Sequence, residues 1–173
     1  YGGSEADAVP LVALTPVSDP DLVLSAVAQA LGIKDVPNQP LATTLKQHLH
    51  DKQILLVLDN FEGLLDAAPL VSDLMGAAPR VKVLVTSRAA LRIYIEHQFP
   101  VPPLALPDSK HIQSVEYLSQ YEAVRLFIER ARSVKPGFMV TNETAPAVAE
   151  ICHRLDGLPL AIELAAARIA VLA

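Results

Sequence analysis

An α/β fold is predicted: a parallel sheet with flanking helices, followed by a small all-helical part. Three observations lead there. Short apolar runs alternate with helical stretches through the first half of the chain. The run Ile54-Leu55-Leu56-Val57-Leu58 has no polar alternation, as expected of a strand covered by helices on both faces. Beyond a cluster of prolines, every segment carries helical spacing.

The elements follow in chain order. Val9 to Leu14 is a first strand. Asp19-Pro20 then pairs a capping aspartate with a proline at a first helical position, and Val23, Ala26, Val27 and Ala30 follow at helical spacing until Gly32 stops the helix. Pro40 opens a second helix with Leu41, Leu45 and Leu49 on one face, and Asp51-Lys52 turns the chain into the Ile54 to Leu58 strand. Leu64 to Met75 is helical in character, with Pro69 expected to break it in two. Val81 to Val85 is a third strand ending at Thr86-Ser87-Arg88, and Ile93 to Phe99 is a candidate fourth.

Pro100, Pro102, Pro103 and Pro107 make a stiff connector, which places a boundary between an α/β domain at 1–103 and a helical domain at 104–173. In the second domain Ser119 and Glu122 read as a capping box ahead of Val124, Phe127, Ile128 and Ala131. A helix from about Asn142 carries Val148, Ile151, Cys152 and Leu155 on one face. Gly157 is expected at its C′ position, and Pro159 opens the last helix.

Composition excludes several classes. With 51% apolar and 19% charged residues, a chain of 173 residues buries a real core and is not disordered. Its 14 basic and 19 acidic residues leave a charge of 14 − 19 = −5, which prepares no surface for direct nucleic-acid contact. The single cysteine forms no intrachain disulfide, and the five histidines are scattered, so no zinc set is expected and a cytoplasmic location is. Tyr1 to Pro10 lacks the basic start of a signal peptide, and Leu158 to Ala173 is too short and too interrupted for a membrane span. No G-x-S-x-G nucleophile elbow is present to suggest a hydrolase.

Ligands of open parallel sheets gather at the carboxyl ends of strands. Two such ends are polar here: Asp59-Asn60 and Thr86-Ser87-Arg88. An apolar strand ending in aspartate is the arrangement that orients Mg²⁺, usually through water, beside a nucleoside triphosphate. An aspartate in that place also serves simply to turn the chain, and Arg88 also reads as a surface cation in a loop.

Four segments in order then carry a resemblance: Ile54 to Glu62, Val83 to Arg88, Glu122 to Phe127, and Gly157-Leu158-Pro159-Leu160-Ala161. From about Val9 onward the chain resembles NB-ARC-type signal-transduction (STAND) ATPases, in particular the ATPase module of LuxR-like and AfsR-like bacterial transcriptional regulators. The resemblance implies an incomplete P-loop-type sheet followed by an ARC1-like helical subdomain. It makes Asp59 the Walker B acid that orients Mg²⁺, Arg88 the sensor that meets the γ-phosphate of ATP, and Pro159 with Leu160 the contact to the adenine of ADP or ATP.

The family's G-x-x-x-x-G-K-[ST] loop is absent; Gly2-Gly3-Ser4 has neither its spacing nor its lysine. The resemblance therefore describes a fragment, whose partners include its own missing N-terminal P-loop segment and flanking domains, with self-assembly in the ATP state. Asn60 stands beside Asp59 where many relatives carry an acid, and an amide is no general base, so a slow ATPase is expected only in a full-length parent. Glu62 reads as a first-turn residue favoured by the helix dipole. The expected function is a fragment of an ADP/ATP-dependent molecular switch; the alternative is a nucleotide-independent interaction or structural domain.

Overall fold

The computed structural model describes residues 9–34, 36–108 and 115–171. It is mixed α/β, and the chain divides into two compact units, Tyr1–Gln98 and Phe99–Ala173. Gly2-Gly3-Ser4 lies outside the described residues.

In the first unit, β1 (Leu11–Ala13), β2 (Leu55–Asp59) and β3 (Lys82–Val85) form a parallel sheet in the order β1-β2-β3. Leu11 pairs with Val57 and Ala13 with Asp59 across one interface; Leu55 pairs with Lys82 and Leu58 with Val85 across the other. Asp19 opens the first helical stretch by accepting the Asp21 backbone N–H at 3.0 Å. A 3-10 turn at Pro20–Leu22 leads into α1 (Val23–Ala30), which ends as expected at Gly32, with φ +67°. Helix α2 (Leu41–Leu49) buries Leu45 and Leu49. These two helices pack on β1 and on α3 (Ala68–Ala77), over a core built on Val12, Leu56, Leu58, Phe61 and Leu74.

Three expectations are corrected here. Pro69 does not break a helix: it sits in the first turn of α3, where its missing N–H has no intrahelical partner to lose, after two 3-10 turns at Phe61–Gly63 and Leu65–Ala67. Among the described residues the sheet is not covered on both faces. Val12, Leu56 and Leu58 are buried, but Leu11 is 63% and Leu84 53% exposed on the opposite face. Ile93 to Phe99 forms no strand. The Glu96 carboxylate instead accepts the backbone N–H groups of Leu91 and Arg92 at 3.0 and 2.8 Å, and Arg92 takes φ +58°, so the loop closes on itself and makes no pairing with β3.

The second unit holds α4 (Val115–Leu118), α5 (Glu122–Val134), α6 (Ala145–Arg154) and α7 (Pro159–Ala167). Helix α5 packs against α6 and α7 around Val124, Phe127, Cys152, Ile162 and Ala166. Burial pushes the Cys152 thiol up to about 11, so it stays protonated and unreactive at neutral pH. The capping box does not form: Ser119 donates its hydroxyl to the Glu116 carbonyl at 2.9 Å, and Tyr121 is the N-cap of α5 without a side-chain capping bond. The Ala123 N–H is met instead by the Ala105 carbonyl, at 3.4 Å.

Helix α6 starts at Ala145 rather than near Asn142, with Pro146 in its first turn and a Thr141–Thr144 turn ahead of it. Its C-cap is Leu155, so Asp156 occupies C′ at φ +51° and Gly157 stands one residue later, at φ +67°. The Gly157 N–H bonds the Cys152 carbonyl at 3.2 Å and the Asp156 N–H that of His153 at 3.0 Å, the paired bonds of a Schellman ending. The Gly157 carbonyl in turn accepts the Leu104 N–H at 2.9 Å, and His153 donates to the Pro107 carbonyl, so two contacts hold the 104–107 segment to the end of α6. Among the described residues no helix is long and apolar enough to cross a membrane.

Candidate functional site

Asp59 and Arg88 follow from β2 and β3, neighbours in the sheet, and both strands deliver their polar residues at the same edge. The backbone ladder continues past the strand ends. Thr86 N–H reaches the Leu58 carbonyl, and Phe61 N–H reaches the Thr86 carbonyl, each at 3.0 Å. Asn60 makes this tight return possible by adopting φ +68°, ψ +54°, a left-handed conformation that asparagine tolerates better than most residues. Phe61, next in the chain, is fully buried and ties the turn to the core.

Three hydrogen bonds involving side chains cross between the strand ends. From the β3 side, the Thr86 hydroxyl donates to Asp59 Oδ1 at 2.6 Å while accepting the Asn60 N–H at 2.9 Å. From the β2 side, Glu62 accepts Arg88 Nε on Oε1 at 2.6 Å. Each end therefore orients a charged side chain of the other. Glu62 is only 17% exposed, and its own backbone N–H and the Arg88 guanidinium hold its carboxyl below the ordinary carboxylate range, so it is ionised at neutral pH. Its role is this ion pair, more than the helix-dipole contact expected from its place in the chain. Arg88 is 86% exposed.

Asp59 fits a water-mediated contact to Mg²⁺. Thr86 occupies one carboxylate oxygen, and the other makes no hydrogen bond among the described residues. These residues hold no group of three metal-ligating side chains, so the metal would arrive with a ligand's phosphates. Asn60, exposed and committed through its backbone to the turn, supplies no base.

Pro159 and Leu160 belong to the second unit. Pro159 opens α7 as predicted, with Leu158 as N-cap, and both Pro159 and Leu160 are exposed. The turn before them is closely packed: a Cβ added at Gly157 would collide with the backbone carbonyl of Leu104. Thr86 and the Glu62–Arg88 pair are the features that sequence reasoning missed. The three polar residues Thr86-Ser87-Arg88 at a strand end were a signal, but the partners lie 26 and 27 residues away along the chain.

No family model matches the chain. It is similar, at 41% identity over 164 residues, to a Mycobacterium tuberculosis protein named "Putative HTH-type transcriptional regulator" and equally to its Mycobacterium bovis counterpart. That match takes in 94% of the chain and 17% of each relative. A second M. tuberculosis protein, named only as uncharacterized, is 41% identical over 156 residues, 90% of the chain and 36% of that protein. The chain thus spans about a sixth of the length of the regulators that it matches.

Proposed function

We propose that this chain is a nucleotide-binding segment of a bacterial transcriptional regulator, acting as part of an ADP/ATP-dependent switch. The observation that carries the reading is the reciprocal bonding at the strand ends, which brings an oriented carboxylate, Asp59, and an exposed guanidinium, Arg88, to one edge of a parallel sheet. A triphosphate with its Mg²⁺ can use a carboxylate to orient the metal and a guanidinium to meet a phosphate. Relatives at 41% identity named as transcriptional regulators support the regulatory setting.

In this reading Asp59 would orient the metal through water and Arg88 would meet the terminal phosphate. A Mg²⁺ held through water by Asp59 would supply neutralisation of phosphate charge. The phosphate-binding loop would be contributed by an upstream segment, and the sheet face bared at Leu11 and Leu84 is where a further covering element would gain burial. That same bare face is the one observation favouring the second reading, a nucleotide-independent interaction domain.

Calorimetry separates the two. The 173-residue chain is expected to bind Mg-ATP and ADP no better than millimolar, because backbone N–H groups and a lysine for the phosphates are missing. Extended upstream by a phosphate-binding loop, it is expected to bind both, and Asp59→Ala then weakens Mg-ATP more than ADP. Submillimolar binding by the short chain would refute the dependence on the loop. Equal losses for both nucleotides would indicate a folding defect at the end of β2, and no binding by the extended chain would favour the interaction domain.

A further inference from the structure

We propose that Glu62 is a positioning residue for Arg88: it holds the guanidinium by Nε and leaves the Nη1 and Nη2 groups for phosphate oxygens of an incoming ligand. The proposal rests on the nucleotide reading above for the identity of the ligand, and on the geometry of the pair for everything else.

The two partners are unequal. Glu62 is partly buried, sits one residue after the buried Phe61, and lies on a turn whose backbone is bonded to Thr86. Arg88 is almost wholly in solvent, and its only side-chain bond among the described residues is the 2.6 Å contact through Nε. A guanidinium carries five N–H groups in a rigid fork, of which this contact uses one. A free arginine must freeze several torsions when it grips a phosphate; one already tied at Nε has lost much of that freedom beforehand.

The carboxylate also brings a negative charge close to where an anion would sit. At so exposed a guanidinium that repulsion is screened by water and salt, whereas the orientation of the fork is kept. Positioning therefore outweighs quenching, and removing the charge of Glu62 should weaken anion binding. A counter-ion that merely competes for Arg88 predicts the opposite sign.

The test uses ¹⁵N-labelled chain at neutral pH, with tripolyphosphate as the probe and the Arg88 Nε–H resonance as the readout. In the wild type that proton is expected to be protected from exchange and to shift with tripolyphosphate at millimolar half-saturation. Glu62→Gln is expected to lose the protection and to weaken tripolyphosphate roughly 2- to 12-fold, the equivalent of ordering one long side chain. The amides of Leu56 and Leu58 should stay protected, which separates positioning from unfolding.

Arg88→Lys is the second variant. It keeps a cation opposite Glu62 but has no fork, and is expected to lose tripolyphosphate to at least the same extent. An unprotected Nε–H in the wild type, no response to tripolyphosphate, tighter binding in Glu62→Gln, or wild-type binding in Arg88→Lys would each overturn the proposal. Should Arg88 respond as expected while the loop-extended chain fails to bind ATP, the nucleotide reading falls and the positioning role stands.

Discussion

Arg88→Ala, in a chain extended upstream by a phosphate-binding loop, is expected to lower ATP affinity roughly 10- to 150-fold while leaving ADP affinity nearly intact. A charge-assisted hydrogen bond to a phosphate contributes about 1.5–3 kcal/mol, and the 86% exposure of Arg88 draws the value toward the lower end. The selectivity matters more than the size. ADP lacks the phosphate that Arg88 would meet, so the variant shifts the population toward the ADP-bound state. Asp59 and its bond to Thr86 are untouched by the change, so a general collapse of the site is not expected. Paired titrations of ATP and ADP decide the matter: an unchanged ratio of affinities would make Arg88 an ordinary solvated arginine.

Gly157→Ala is expected to destabilise the second unit by about 2–4 kcal/mol. A left-handed conformation costs an alanine roughly 1–2 kcal/mol, and Gly157 holds φ +67° directly after Asp156, itself at φ +51°. The added methyl would also run into the Leu104 carbonyl, which cannot move away without stretching the 2.9 Å bond from the Leu104 N–H to the Gly157 carbonyl. Losing that bond adds about 1 kcal/mol. Gly137→Ala is the control within the same unit, because a Cβ there meets nothing and its φ is not positive. Urea unfolding followed by circular dichroism should show a lowered midpoint for the first variant and little change for the second. Equal midpoints would mean that the 104–107 segment gives way at no cost.

The elements most legible in the sequence were those where one physical signal dominated. The unbroken apolar run of β2, the Leu45 and Leu49 face of α2, and the Asp19 cap are all seen where the pattern put them. Two of the failures share a cause: a side chain found a different partner. Ile93, Tyr94 and Ile95 have strand character, but Glu96 captured two backbone N–H groups of the same loop. Ser119 had the right spacing to Glu122 for a capping box, but its hydroxyl went backwards to Glu116. Buried and exposed faces of the sheet could not be told apart in a run that is apolar throughout. At the candidate site, the juxtaposition of Asp59 and Arg88 follows from two strands joined by one helical connection. The Thr86 and Glu62 bonds depend on the register of β2 against β3, which periodicity does not carry.

The loop closed by Glu96 also determines where the chain can be cut. Tyr94, at the tip of that loop, is fully exposed, whereas the next exposed aromatic, Phe99, is followed by Pro100. Chymotrypsin cleaves after aromatic residues but not when proline follows, and it needs an accessible, locally extendable backbone. Phe61 and Phe127 are buried. Brief digestion is therefore expected to break the bond after Tyr94 first, giving residues 1–94 and 95–173 by mass spectrometry. The first piece would keep all three strands and both polar strand ends but part with Glu96, the acceptor that folds the loop beyond Arg88. A protease nick thus acts as a chemical scissor on a tether that restrains the chain just past the candidate site.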